Sequence, residues 1–267
     1  MKNNGFTLIE LLIAICITSI VAGTIATIFI NSIQNASDMQ KKIVMQQNGR
    51  SALNFIANEI MMAGYSPASG GNGITSAGLN DIEFTKDYNN DGLFTGQNET
   101  IRFNFDNTTN NQLIMSFSNG DDKSTITPVL DDVEGFRLLY AYDIHGLGSE
   151  GYGQLETTGS NDIQWAFDSN DDKILDRYYT YTNSGFSEVP LTDNLRNNIG
   201  KPLPISRIRA VKIMLLVRSN TNRSYSMENR TSLDLPGMDS REDAGGLNSG
   251  FSYKMLSTNV KLRNMYF

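Results

Sequence analysis

Residues 6–30 read FTLIELLIAICITSIVAGTIATIFI, 25 residues with a single charge, Glu10. As a helix this run is about 37 Å long at ~1.5 Å per residue, enough to cross a ~30 Å hydrocarbon core with some tilt. A secretory signal peptide has a shorter apolar core followed by a small-residue cleavage site. This run is too long for that and follows a five-residue leader, MKNNG, without a break. A signal-anchor helix fits the hydropathy, but it does not account for Glu10. An ionisable group inside a membrane segment is costly and normally faces a partner.

Outward from that run, the chain is acidic. It has 267 residues, 22 basic against 29 acidic, and a net charge of −7. Lys2 and Glu10 cancel within the first 30 residues, so the whole excess lies on the remainder. Nucleic-acid binding needs a clustered basic stripe, and none is present. The single cysteine, Cys16, excludes an intrachain disulfide and a Cys-based zinc site, and the single histidine, His145, excludes a His pair. Without a nucleophilic triad or a glycine-rich phosphate motif, the sequence points away from an enzyme.

The order Lys2-Asn3-Asn4-Gly5-Phe6-Thr7-Leu8-Ile9-Glu10 resembles the class III signal of type IV pilins and pseudopilins. That resemblance implies cleavage between Gly5 and Phe6 by a prepilin peptidase on the cytoplasmic side, and N-methylation of the new Phe6 amine. It also gives Glu10 a partner. A carboxylate at depth in lipid is neutralised by the Phe6 amine of a neighbouring subunit in the filament. Subunits that cap the very tip of such filaments often lack this glutamate, so its presence argues against the tip-most position.

Beyond Ile30 the helical pattern continues with polar residues interspersed. Leu53, Ile56, Ile60 and Ala63 keep the spacing of one buried helix face. No proline occurs before Pro67, so one helix is expected from about Thr7 to about Ala63. Gly64 is a natural residue just past its end, and Pro67 prevents resumption. Residues 64–80, rich in glycine and serine, read as a loop. Ile101, Phe103 and Phe105, then Leu113, Met115 and Phe117, alternate with mainly polar residues and predict a β-hairpin about 106–112. Further alternating runs cover 136–142, 211–217 and 259–267. With no βα alternation, the expected fold is α+β: a long N-terminal helix packed on an antiparallel sheet.

Several segments resemble the PilW-like minor pilins: NFIANEIMMAGY over 54–65, LDDVEGFRLLY over 130–140, RAVKIMLLVRS over 209–219 and VKLRN over 260–264. The J-type minor pseudopilin of type II secretion is a close relative. The organisation implied is a leader (1–5), a transmembrane half-helix (6–30), an amphipathic half-helix (31–64) and a β-rich head (65–267). The head is periplasmic before assembly and at the cell surface afterwards. The implied function is that of a minor pilin, taking part in initiation of assembly and incorporated near the filament tip, with a secretion pseudopilin or a pilus-borne adhesin as alternatives. Its implied partners are other minor and major pilins, the inner-membrane assembly platform and the prepilin peptidase.

Two acidic loops are candidates for calcium. Asp87-Tyr-Asn89-Asn-Asp91-Gly92 has the D-x-N-x-D-G opening in which alternate side chains converge on one ion. The twelfth position is Asn98, with Glu99 one residue late. Asp168-Ser-Asn170-Asp-Asp172, followed by Asp176, repeats the spacing but lacks the glycine. The competing reading is a solvated Asp/Asn-rich turn. His145 reads as a surface residue, Cys16 as a helix-packing residue, and Trp165 and Phe167 as core. The polar stretch 219–250 reads as a partner-facing loop.

Overall fold

The computed structural model turns the apolar run and its polar continuation into one α-helix, α1 (Leu8–Met61), of 54 residues, about 80 Å long at ~1.5 Å per residue. The structure describes residues 7–66, 73–94, 96, 98–106, 111–118, 125–143, 154–157, 163–182, 185–191, 203–220 and 251–263. Gly5, Phe6, His145 and residues 221–250 lie outside these. The helix starts at Thr7 and ends with Met62 as its cap; Gly64, two residues beyond, takes φ 73° and donates to the Thr85 carbonyl (2.8 Å). A side chain at that φ would be strained, which is why glycine suits the exit.

The helix has two regimes. Residues 7–36 are exposed throughout, six residues past the expected end of the membrane half, and contact with the head begins at Ser37 and Asp38. The predicted stripe of Leu53, Ile56, Ile60 and Ala63 is buried. Each fully buried Ile contributes about 1.5–3 kcal/mol. Gly49, not singled out by the sequence pattern, lies so close to the head that a Cβ there would meet Leu256 Cδ1 at 2.7 Å. Cys16 is exposed on the apolar half.

The head is built from thirteen strands among the described residues. They are β1 (Ile74–Ala77), β2 (Asp81–Thr85), β3 (Thr100–Asp106), β4 (Gln112–Ser118), β5 (Thr125–Leu130), β6 (Val133–Tyr142), β7 (Trp165–Phe167), β8 (Ile174–Leu175), β9 (Arg177–Thr182), β10 (Gly185–Pro190), β11 (Leu203–Pro204), β12 (Ile208–Asn220) and β13 (Phe251–Lys261). The first five form a meander, and a second sheet runs β10-β9-β7-β6-β12-β13; β8 and β11 pair separately. Every pairing is antiparallel, as expected. The expected hairpin is β3–β4, and its register pairs the anticipated residues: Ile101 with Phe117, Phe103 with Met115, Phe105 with Leu113.

The helix lies on β12, β13 and β5, while β6 touches β2, β3 and β4. This explains one departure from the expected alternation. Strands β6 and β12 are buried almost continuously, because elements pack on both of their faces. Three further departures concern elements. The segment read as a loop over 64–80 contains β1, paired with β2 and burying Ile74 and Ala77 in the core. The closing strand begins at Phe251, eight residues before the expected start, and ends at Lys261, with Ser219 and Asn220 belonging to β12. Trp165 is only half-buried, its ring under Lys212 Nζ (5.7 Å), whereas Phe167 is core and stacks on Tyr179.

Candidate functional site

At the start of α1 the spacing Thr7-x-x-Glu10 forms a capping box. Glu10 N–H donates to Thr7 Oγ1 (3.4 Å), and Glu10 Oε2 accepts from both Thr7 N (2.9 Å) and Thr7 Oγ1 (2.9 Å). Two amide donors that a helix start leaves orphaned are thereby satisfied. The charge-pairing account of Glu10 did not include this local task, although the T-x-x-E spacing signals it. Glu10 is thus fixed as an acceptor at the very beginning of the exposed apolar half, four positions after Phe6 in the sequence.

The first acidic loop leaves the end of β2 and returns at the start of β3. Asp91 N–H donates to Asn89 Oδ1 (2.8 Å), Leu93 N–H to Asp91 Oδ1 (2.7 Å) and Gly92 N–H to Asp87 Oδ2 (2.9 Å). Asn90 and Gly92 adopt left-handed backbone, with φ 61° and 82°. The late acid is brought in by a further left-handed residue, Asn98 (φ 64°), after which Glu99 turns inward and accepts from Gly96 N–H (2.6 Å). A Cβ on Gly96 would lie 2.8 Å from that carboxylate, so any larger residue there would push the Glu99 side chain aside.

Asp87 and Glu99 are buried, 1% and 0% exposed, and Asp91 is exposed. Ligand oxygens of the three lie within 4.8 Å of one another. Asp87 Oδ1 and Glu99 Oε1 are buried without a hydrogen-bond partner. Two buried carboxylates at that range repel by about 3 kcal/mol at an effective dielectric of ~20. The neighbouring cation, Lys86, is committed to Glu59 on α1 (3.2 Å).

The loop also touches the helix exit. Asp87 N–H donates to the Tyr65 carbonyl (2.9 Å) and Ser66 Oγ to Asp87 Oδ2 (3.2 Å). Ser66 and Gly96 are contributors that the D-x-N-x-D spacing does not reveal.

The second loop repeats the inner hydrogen bonds but closes on itself. Asp168 Oδ2 accepts from Lys173 N–H (2.8 Å), and its other oxygen accepts from Asn170 N–H (3.1 Å). Asp172 accepts from Ile174 N–H (2.9 Å) and from the Asn170 amide (3.1 Å). Asp176 is held on both oxygens by Ser169, backbone to Oδ1 (2.8 Å) and hydroxyl to Oδ2 (2.7 Å). Among the described residues, only the first loop gathers three acids into cation-holding range. Asp168 has a different neighbour in Tyr140. Burial, then the charges of Asp81 and Asp168, push the Tyr140 phenol well above its usual range, and its hydroxyl donates to the Gly78 carbonyl (3.0 Å).

Comparison with known proteins adds two family matches. Residues 102–264, more than half of the chain, match the model of the type IV pilus-assembly protein W family. Residues 1–26 match the prokaryotic N-terminal methylation motif. Among solved structures, the chain is similar to a type IV-like pilin from Thermus thermophilus at 14% identity, covering 82% of this chain and 97% of that one with a TM-score of 0.41. No curated protein matches the sequence significantly.

Proposed function

The chain belongs to the type IV pilus-assembly protein W family, and from that premise we propose that this minor pilin takes part in initiating assembly and is incorporated near the filament tip. The observation that carries the reading is the bare half of α1. Residues 7–36 are exposed along their whole length, and the exposed apolar residues continue past the membrane length as Ile33, Met39, Ile43 and Val44. A membrane covers only about 20 residues of helix. The remainder of that apolar face finds its cover on the helices of neighbouring pilins, inside a filament.

In this reading the prepilin peptidase cuts between Gly5 and Phe6, and the Phe6 amine is methylated. The head is periplasmic while the chain waits in the inner membrane beside the assembly platform, and reaches the surface with the filament. The Glu10 carboxylate then has two roles. It caps its own helix through Thr7, and its charge meets the Phe6 amine of the adjacent subunit. The subunit acts by packing and charge, as pilin families do; they are structural subunits rather than enzymes.

Two substitutions separate those roles. Glu10→Gln keeps a side chain that can complete the capping box but removes the charge, whereas Glu10→Ala removes both. In cells lacking the wild-type gene, surface pili are counted and the variant's cleavage and presence in sheared filaments are followed by immunoblot. The expected result is few pili without the gene, with both variants cleaved normally and neither incorporated. Normal incorporation of Glu10→Gln would remove the charge-pairing role. An unchanged pilus count on deletion, with lost protein export, would overturn the pilus reading in favour of secretion.

A further inference from the structure

We infer that Asp87, Asp91 and Glu99 form a calcium site that fastens the end of α1 to the first sheet. The observation that carries this is the pair of carboxylate oxygens, Asp87 Oδ1 and Glu99 Oε1, buried without a hydrogen-bond partner. Both belong to acids that are at most 1% exposed, and Asp91 closes the cluster within 4.8 Å. A buried carboxylate oxygen that meets no donor is costly, and two such acids with ligand oxygens within 4.8 Å of one another add their mutual repulsion. A cation between them answers both costs.

The chemistry of the donors selects the ion. All are oxygens, which exclude soft metals that prefer sulfur or imidazole. The carboxylates come from separate positions of an irregular loop, and the flexible six- to eight-fold shell of calcium tolerates such a set. Magnesium requires near-octahedral geometry and gives up its waters reluctantly. The acid missing at the twelfth position is supplied by Glu99 at the thirteenth, because left-handed Asn98 turns the chain inward and Gly96 leaves room for the carboxylate.

The placement gives the ion its consequence. Asp87 holds Ser66 through Oδ2 and Tyr65 through its amide, so its carboxylate is tied to the chain just past the helix end. Glu99 leads into β3, and Lys86, whose N–H donates to the Glu99 carbonyl, is paired with Glu59 on α1. An ion shared by Asp87 and Glu99 therefore locks the helix exit, the end of β2 and the start of β3 together. It stiffens the neck through which the head is carried. The proposed filament role bears only on where calcium is met, namely outside the cytoplasm; binding itself is a property of the isolated chain.

The test uses the full-length chain purified in detergent and stripped with chelator. Terbium luminescence sensitised by nearby tyrosines, Tyr65 and Tyr88, reports binding, with calcium and magnesium as competitors. The expected result is saturable terbium binding, displaced by calcium with an affinity on the order of 10⁻⁴ to 10⁻³ M, as in extracellular calcium modules. Magnesium should compete at least about tenfold less well. Asp91 is exposed, so Asp91→Asn should fold normally and still weaken binding roughly tenfold, because affinity follows ligand charge count. Glu99→Gln should abolish binding, and Asp172→Asn in the second loop should leave it unchanged. Calcium should raise the melting temperature of the wild type and of Asp172→Asn but not of Glu99→Gln. Absence of calcium-displaceable terbium signal from the folded wild type would overturn the site. So would undiminished binding in both Asp91→Asn and Glu99→Gln, or equal competition by magnesium. None of these outcomes bears on pilus counts, so failure here and failure of the filament reading are told apart.

Discussion

In both acidic loops the leading aspartate accepts the amide five residues later, at 2.9 Å from Gly92 and 2.8 Å from Lys173. In both, the asparagine two residues on accepts from the amide of the following aspartate and donates its side-chain amide back to it. Even the left-handed positions correspond, Asn90 and Gly92 against Asp171 and Lys173. The difference lies in the first and last acids: Asp168 accepts on both oxygens, whereas Asp87 Oδ1 has no partner. Glu99 comes back from a strand and points one oxygen into a buried space without a donor, whereas Asp176 is gripped on both oxygens by Ser169. The lesson is that carboxylates counted along a sequence are not the same as lone pairs left over after folding. One loop has filled its own acceptors and has no unmet charge to offer; the other has not.

Three substitutions probe that contrast, the largest effect first. Gly96→Ala places a Cβ 2.8 Å from the Glu99 carboxylate and drives it off the 2.6 Å bond to the Gly96 amide. Losing a charged hydrogen bond in a buried site costs about 2 kcal/mol, and the calcium response should vanish with it. Chemical denaturation of the full-length chain with and without calcium measures both. An alanine variant that keeps full stability and full response would show that the Glu99 pose is not constrained.

Lys173→Gly tests whether the missing glycine is what separates the loops. Lys173 sits at φ 67°, so glycine relieves strain of about 1 kcal/mol and should stabilise the chain. Calcium response from the second loop should still be absent, because Asp176 remains bonded to Ser169. Terbium titration in an Asp91→Asn background reads this directly. New saturable binding would mean that backbone strain, not acceptor filling, is the deciding difference.

The smallest effect belongs to Ser169→Ala. It removes the hydroxyl donor to Asp176 Oδ2 (2.7 Å) on an exposed loop and should cost only about 0.5 kcal/mol. It also frees one carboxylate oxygen, moving the second loop one step towards the first. A weak gain of terbium binding over the Asp91→Asn background is the expected direction, and a gain as large as the first loop's affinity would erase the distinction between them.

Much of this molecule was legible residue by residue. The stripe Leu53, Ile56, Ile60 and Ala63 predicted its own burial, since helical spacing is a local property. The pairing of Ile101, Phe103 and Phe105 with the facing hairpin strand could be read for the same reason. The short strand β1 could not, because it lies in a glycine- and serine-rich stretch and its four residues gain their pairing to β2 and the burial of Ile74 and Ala77 only in the folded head. Nor could the double-sided burial of β6 and β12, which depends on what lies above and below them. In the sequence Glu99 reads only as an acid one position late, and Ser66 and Gly96 carry no signal.

By itself the sequence determined the long apolar helix, the family and the two D-x-N-x-D loops. These follow from spacing along one chain, where each residue's neighbours are known in advance. Only the tertiary structure decided where α1 leaves its bare half and begins to pack, and which of two nearly identical loops keeps unmet charge. Burial and hydrogen-bond satisfaction depend on segments far apart in sequence. Whether Asp87 and Glu99 meet is settled by the strands and the helix end that carry them together.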